Sequence, residues 1–193
     1  MKALARADLM SLEQYAQQRA AFRSRVLAHK RDRHVEIGDH ARLYFEDRLT
    51  VQYQIQEMLR IERIFEPEAI DAELRAYNPL IPDGHNWKAT LMLEYEDVEE
   101  RRIALAQLRG IAERVWVQVG GGARVFAVAD EDMGRDSDEK TASVHFLRFD
   151  LPAAVIAAAR AGGAVVAGID HPHYHHTVTV SETVRRALVA DLS

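Results

Sequence analysis

The sequence predicts an α+β protein, a mainly antiparallel sheet with short βαβ crossovers and a group of helices on its N-terminal side. Three observations predict it. Helical spacing of apolar residues dominates the chain before residue 80, and two-residue alternation sets in at Trp87. Beyond that point short helical stretches separate extended ones, as in 87–95, a helix, then 114–119, and again in 143–149, a helix, then 164–169. A ferredoxin-like core is the specific topology these two units suggest.

The elements follow in order from local signals. Ser11 and Gln14 form a capping box for a first helix over 11–30, with Leu12, Tyr15, Phe22 and Val26 on one face. Two short strands, 34–37 and 41–45, flank a Gly38-Asp39 turn. Asp47 caps a second helix reaching to about Phe65, whose stripe is Val51, Ile55, Met58, Leu59 and Phe65. Pro67 suits the first turn of a third helix ending near Asn78-Pro79. Trp87, Leu91, Leu93 and Tyr95 share one face of the next strand, and Asp97 with Glu100 caps a short helix that stops at Gly110. Residues 114–119 and 124–129 read as a hairpin across Gly120-Gly121-Gly122, too far from any helix start for a phosphate loop. The acidic stretch 130–142 reads as a solvated loop, because Arg135 and Thr141 stand where a calcium loop needs Gly and Glu. Pro152 starts an Ala-rich helix closed by Gly162-Gly163, and Ser181 caps a last helix to Leu192.

Composition narrows the function classes. A chain of 193 residues with 48% hydrophobic and 28% charged content suits one domain, a helical part over 1–80 and an α+β core over 85–193. The net charge of −5 gives no general drive toward nucleic acid or an anionic membrane. No cysteine is present, so disulfides, thiolate chemistry and iron–sulfur ligation are excluded, and a metal would need N and O ligands. Residues 1–10 lack the apolar core of a secretory signal, which makes the cytoplasm the default location, and the Ala-rich 151–169 contains Arg160 and turn residues unlike a membrane span.

The chemically densest stretch is Asp170-His171-Pro172-His173-Tyr174-His175-His176. Neutral imidazole with carboxylate ligates zinc, iron and manganese, so a metal site is the sharpest hypothesis. The competing reading is a loop of solvated histidines around Pro172, and no Glu follows His171 as a zincin helix requires. His145 lies on a strand face with Leu147 and Phe149, where a hydrogen-bonded core histidine is the ordinary case. Glu57 can pair with Arg60 on its own helix or serve as a ligand or general base.

Several strings together carry a family resemblance: Ile37-Gly38-Asp39, Tyr53-Gln54-Ile55-Gln56-Glu57-Met58, Pro82-Asp83-Gly84-His85-Asn86-Trp87-Lys88-Ala89-Thr90, Ala129-Asp130-Glu131-Asp132-Met133, Lys140-Thr141 with Val144-His145-Phe146, and Asp170-His171-Pro172 with Tyr174. In these the chain resembles a bacterial family catalogued as domain of unknown function 3501 over nearly its whole length. The resemblance implies a redox or peroxide-stress setting, beside rubrerythrin-like and heterodisulfide-reductase-like iron–sulfur proteins. It favours His171 over His173, His175 and His176.

Two functions follow as expectations. One is a metal-binding protein, of which a metalloenzyme is one form, holding a divalent iron, manganese or zinc ion through His85, His145 and His171 with Asp170 or Glu57. The other is a non-catalytic partner that docks onto those redox proteins through its amphipathic N-terminal helices. The first helix is also expected to contribute to a homodimer.

Overall fold

The computed structural model describes residues 2–129 and 140–193, so the acidic stretch 130–139 lies outside the described residues. In chain order the elements are α1 (Leu12–Arg31), β1 (His34–Ile37), β2 (Ala41–Phe45), α2 (Arg48–Glu62), α3 (Pro67–Tyr77), β3 (Asn86–Leu93), α4 (Val98–Gln107), β4 (Val115–Val119), β5 (Val125–Phe126), β6 (Val128–Ala129), β7 (Val144–Asp150), α5 (Ala153–Arg160), β8 (Val165–His171), β9 (Tyr174–Thr179) and α6 (Glu182–Ala190).

The capping chemistry works as the sequence implies. Ser11 Oγ accepts from Gln14 N–H while Gln14 Oε1 accepts from Ser11 N–H, closing the box. Asp47 accepts from Thr50 N–H, Asp97 from Glu100 N–H and Ser181 from Val184 N–H. Helix α2 stops earlier than its apolar pattern suggests. Arg63 takes a left-handed conformation (φ 55°) and donates its N–H to Leu59 O, so Phe65 leaves the stripe and stands 67% exposed.

The strands form two antiparallel sheets, β1-β2-β3-β7-β6 and β5-β4-β8-β9. The class is therefore α+β, while the ferredoxin-like arrangement is replaced. β3 and β7 are hydrogen-bonded neighbours in the first sheet, and β4 and β8 are neighbours in the second, so α4 and α5 each carry the chain from one sheet to the other. A βαβ unit within one sheet would need parallel strands, and here each strand's edges are taken by antiparallel partners.

The stretch 124–129, expected as one strand, is where the sheets meet. Val125–Phe126 pairs with β4, Val128–Ala129 pairs with β7, and the buried Ala127 between them donates its N–H to Val115 O. On the far side β1 lies against β8 and β9. One core fills the space between: Ile37, Leu43, Trp87, Leu91 and Phe149 from the first sheet meet Val115, Val117, Ala167 and Ile169 from the second, with Leu188 of α6. Trp87 is fully buried and donates its indole N–H to Leu188 O. Burying roughly 200 Å² of indole is worth about 5 kcal/mol of transfer free energy. Helices α2 and α3 build a second cluster around Val51, Ile55, Leu59 and Leu74, reached by Phe146 of β7, and α1 lays Tyr15, Phe22 and Val26 against Tyr53 of α2.

The histidine run is not a loop. His171 and Tyr174 are a cross-strand pair that closes a two-residue turn of Pro172 and His173, so His171, His175 and His176 lie on strands.

Candidate functional site at the β1–β2 hairpin

The turn between β1 and β2 is held from the other sheet. Tyr174 of β9 donates its hydroxyl to Ile37 O at 2.7 Å and accepts from the backbone N–H groups of His40 and Ala41, both at 3.0 Å. Gly38 permits the turn with φ +68°, and a Cβ there would stand 2.7 Å from the Tyr174 oxygen.

His40 is positioned by this clamp. Its ring stacks on Tyr95 with centroids 4.0 Å apart and planes 14° from parallel. Nδ1 lies 3.0 Å from Glu94 O, and since a carbonyl only accepts, Nδ1 carries the proton and the neutral ring keeps its lone pair on Nε2. Nε2 stands 4.0 Å from Glu100 Oε1, beyond hydrogen-bond length. Both face an open pocket of about 620 Å³, which Asp39, Arg42, Glu96 and Arg101 also line.

Arg42 divides this pocket from a second concavity. Its guanidinium bonds Glu36 on one side, at 3.1 Å, and Glu94 on the other. Beyond it, Leu27, Lys30 and Arg31 of α1 face the stacked pair His34 and Tyr44 across a groove of about 380 Å³.

The five residues expected to share a metal lie apart. His85 is exposed just before β3, whereas His145 pairs with Leu91 near that strand's other end. Six residues of strand at about 3.3 Å each put them roughly 20 Å apart, too far for one ion whose ligands each sit about 2 Å away. Asp170 and His171 are neighbours on β8 and so point to opposite faces. Asp170 bonds Arg124 at 3.4 Å and His175 at 2.9 Å. His171 Nε2 lies 3.0 Å from Arg109 O, and its Nδ1 accepts from His173 N–H, so both nitrogens are engaged within the chain. His145 Nε2 meets Ala142 O and Thr141 Oγ1 at 2.9 and 3.0 Å. Glu57 is bound not chiefly by Arg60 but by α1: both its oxygens accept from Arg19, at 2.7 and 2.8 Å, and one accepts from the Tyr15 hydroxyl at 2.6 Å. The Arg19 bonds hold its carboxyl down at about 2. Among the described residues no group of three or more His, Asp or Glu is placed to hold an ion.

A further buried network ties the C-terminal end of the chain to the hairpin. Arg33, 3% exposed, donates to Phe45 O and Glu46 O and pairs with Asp47 and Asp191. Glu46 accepts from Thr50 and Thr90 hydroxyls at 2.5 and 2.7 Å. Burial pushes the Asp191 carboxyl up to about 6, and Asp47, sharing the same guanidinium, adds to that. Every member has its partner inside the chain, which marks the network as structural.

The sequence assigns Tyr95 to a strand face and Glu100 to a helix cap, and points to no site role for these two or for His40 and Arg101. Their only signal was indirect: the Ile37-Gly38-Asp39 string leads into His40, and Tyr174, from the last string, clamps it.

The class defined by this architecture is an α+β protein of two antiparallel sheets joined at a strand that changes sheet, with a polar pocket at the β1–β2 turn. The chain belongs to the family described as protein of unknown function, DUF3501, whose model matches residues 3–192. It is similar throughout to a protein of unknown function from Burkholderia pseudomallei K96243, known from a crystal structure at 1.90 Å, with 50% identity over 100% of both chains and a TM-score of 0.95. No curated protein matches the chain. No helix among the described residues is long and apolar enough to cross a membrane.

Proposed function

We propose that this protein is a non-catalytic docking partner that engages an acidic protein surface through the C-terminal half of α1. The observation that carries it is the composition of one helix face. Arg23, Leu27, Lys30 and Arg31 recur at i, i+4, i+7 and i+8, which places them on one side of α1. Leu27 is 43% exposed at the centre of this face, and none of the three cations has an ion-pair partner among the described residues. α1 carries five cations, Arg19, Arg23, Arg25, Lys30 and Arg31, against Glu13 alone, in a chain of net charge −5. A local sign opposed to the global one serves attraction better than solubility, and an exposed leucine inside it supplies an apolar anchor. Rubrerythrin-like and heterodisulfide-reductase-like iron–sulfur proteins, which the resemblance implies as neighbours, are the partners proposed. The metal-binding reading, with iron, manganese or zinc, rests on residues that the fold separates, and the docking reading is preferred for that reason.

Calorimetric titration of such a partner at low and high salt tests this, with the triple variant Arg23→Glu, Lys30→Glu, Arg31→Glu beside the parent. At about 0.7 kcal/mol for each rim charge, the variant is expected to bind roughly 30-fold more weakly, and parent binding is expected to fall as salt rises. Absent or salt-independent binding, or equal affinity in the variant, overturns the proposal. So does light scattering that shows this face joining two copies of the chain, or a preference of the same face for nucleic acid.

A further inference from the structure

His40 is a histidine whose surroundings leave a nitrogen lone pair facing a pocket. Its Nδ1 proton is committed to Glu94 O, its ring is fixed on Tyr95, and the backbone beneath it is clamped by Tyr174. Such fixing of tautomer and orientation is what a recognition imidazole needs, and the Tyr95 stack alone would require neither nitrogen.

The charges around it select the ligand. Arg42 is bound by both Glu36 and Glu94. Asp39 and Glu96 line the pocket without an ion-pair partner among the described residues, and Glu100 has only the distant His40. Arg101 is the opposing cation, and it donates to Tyr95 O at 3.4 Å. The balance is negative, which disfavours a carboxylate or phosphate and favours a cation.

The spacing selects further. Nε2 of His40 and Oε1 of Glu100 are 4.0 Å apart. A nitrogen placed about 2.8 Å from each would see them at roughly 90°, close to the angle between two N–H bonds of an ammonium group. Among the described residues no third carboxylate or histidine completes a cage for a metal ion at this point. We infer that the pocket beside His40 is a binding site for a small molecule carrying a primary ammonium group, which donates to the His40 imidazole and to the Glu100 carboxylate. This site shares only Arg42 with the α1 groove and stands independently of the docking proposal.

Propylammonium and tetramethylammonium are suitable probes, followed by nuclear magnetic resonance on labelled full-length protein. Propylammonium is expected to give saturable shifts at the His40 ring, Tyr95 and Glu100. Tetramethylammonium, with the same charge and no N–H, is expected to give none. Glu100→Gln, at an exposed position, should weaken binding at least tenfold, as should His40→Phe, which keeps a flat ring on Tyr95. Glu13→Gln on α1 should leave binding unchanged. Shifts that do not saturate, that fall elsewhere, that tetramethylammonium reproduces, or that persist at equal affinity in folded Glu100→Gln protein overturn the inference. If His40→Phe fails to fold, Glu100→Gln decides the matter alone.

Discussion

Replacing Tyr174 by Phe removes one oxygen and with it three hydrogen bonds to the β1–β2 turn, those to the Ile37 carbonyl and to the N–H groups of His40 and Ala41. The ring itself is retained and is 7% exposed, so little apolar burial changes. An internal hydrogen bond is worth about 1 kcal/mol net. Ile37 and Ala41 are both fully buried, so water does not readily take the place of the lost oxygen. A total near 3 kcal/mol follows, and at roughly 2–4 °C per kcal/mol for a chain of this size the unfolding midpoint should fall by about 6–12 °C. Burial raises the phenol's pKa, so the hydroxyl keeps its proton and its role as donor. Urea unfolding with a common m-value measures the loss, and amide exchange at Ala41 locates it. A destabilisation below about 1 kcal/mol, or unchanged protection at Ala41, would refute the view that this hydroxyl clamps the two sheets together.

Two further predictions concern packing and charge. Gly168→Ala would place a Cβ 2.3 Å from Trp116 Cζ2, so the indole must lift from the sheet and from Arg124, whose guanidinium stacks over it at 4.0 Å; a loss of about 1–3 kcal/mol is expected, with greater acrylamide quenching of tryptophan fluorescence. Glu57, with its folded pKa near 2 against an ordinary 4.5, contributes stability that is present above pH 4.5 and is lost as pH falls through 2, on the order of 2–3 kcal/mol. Urea midpoints compared at pH 5 and pH 2.5 should show a drop in the parent that Glu57→Gln reduces, and an equal pH response in both would count against the Arg19 bond as a cause.

Local signals were legible because their partners are close in sequence. Ser11 finds Gln14, Asp47 finds Thr50 and Asp97 finds Glu100, each three residues away. The sheet partition was not legible, since alternation along 87–95 or 143–149 states that one face is buried and not which strand lies beside it. The residues 125–129 form one unbroken apolar run, yet the chain changes sheet at Ala127, where Val115 accepts its N–H and Leu147 pairs with Ala129 beyond it. The same limit applied to the sites. Arg60 was the visible partner for Glu57, one helical turn away, while Arg19 comes from α1, 38 residues earlier. His40 drew no notice because its clamp, Tyr174, lies 134 residues further on.

The crowding of histidine between 170 and 176 also has a geometric explanation. On strands, successive residues point to opposite faces, so a dense run in sequence is divided in space. The hairpin register pairs His171 with Tyr174, Asp170 with His175 and Ile169 with His176. Only the Asp170 and His175 pair brings two metal-ligand types together, and Arg124 already shares that carboxylate. The pair nearest the turn, His171 with Tyr174, reaches inward at one level of the sheet and fastens two different structures: His171 the Arg109 carbonyl after α4, and Tyr174 the turn before His40. His171, which looked like a first-choice ligand, is thus a fastening, and its cross-strand partner Tyr174 holds the turn at His40. Disturbing the hairpin at Tyr174 should therefore impair recognition at His40 without touching a pocket-lining side chain, whereas an added charge at exposed His173 should leave it intact.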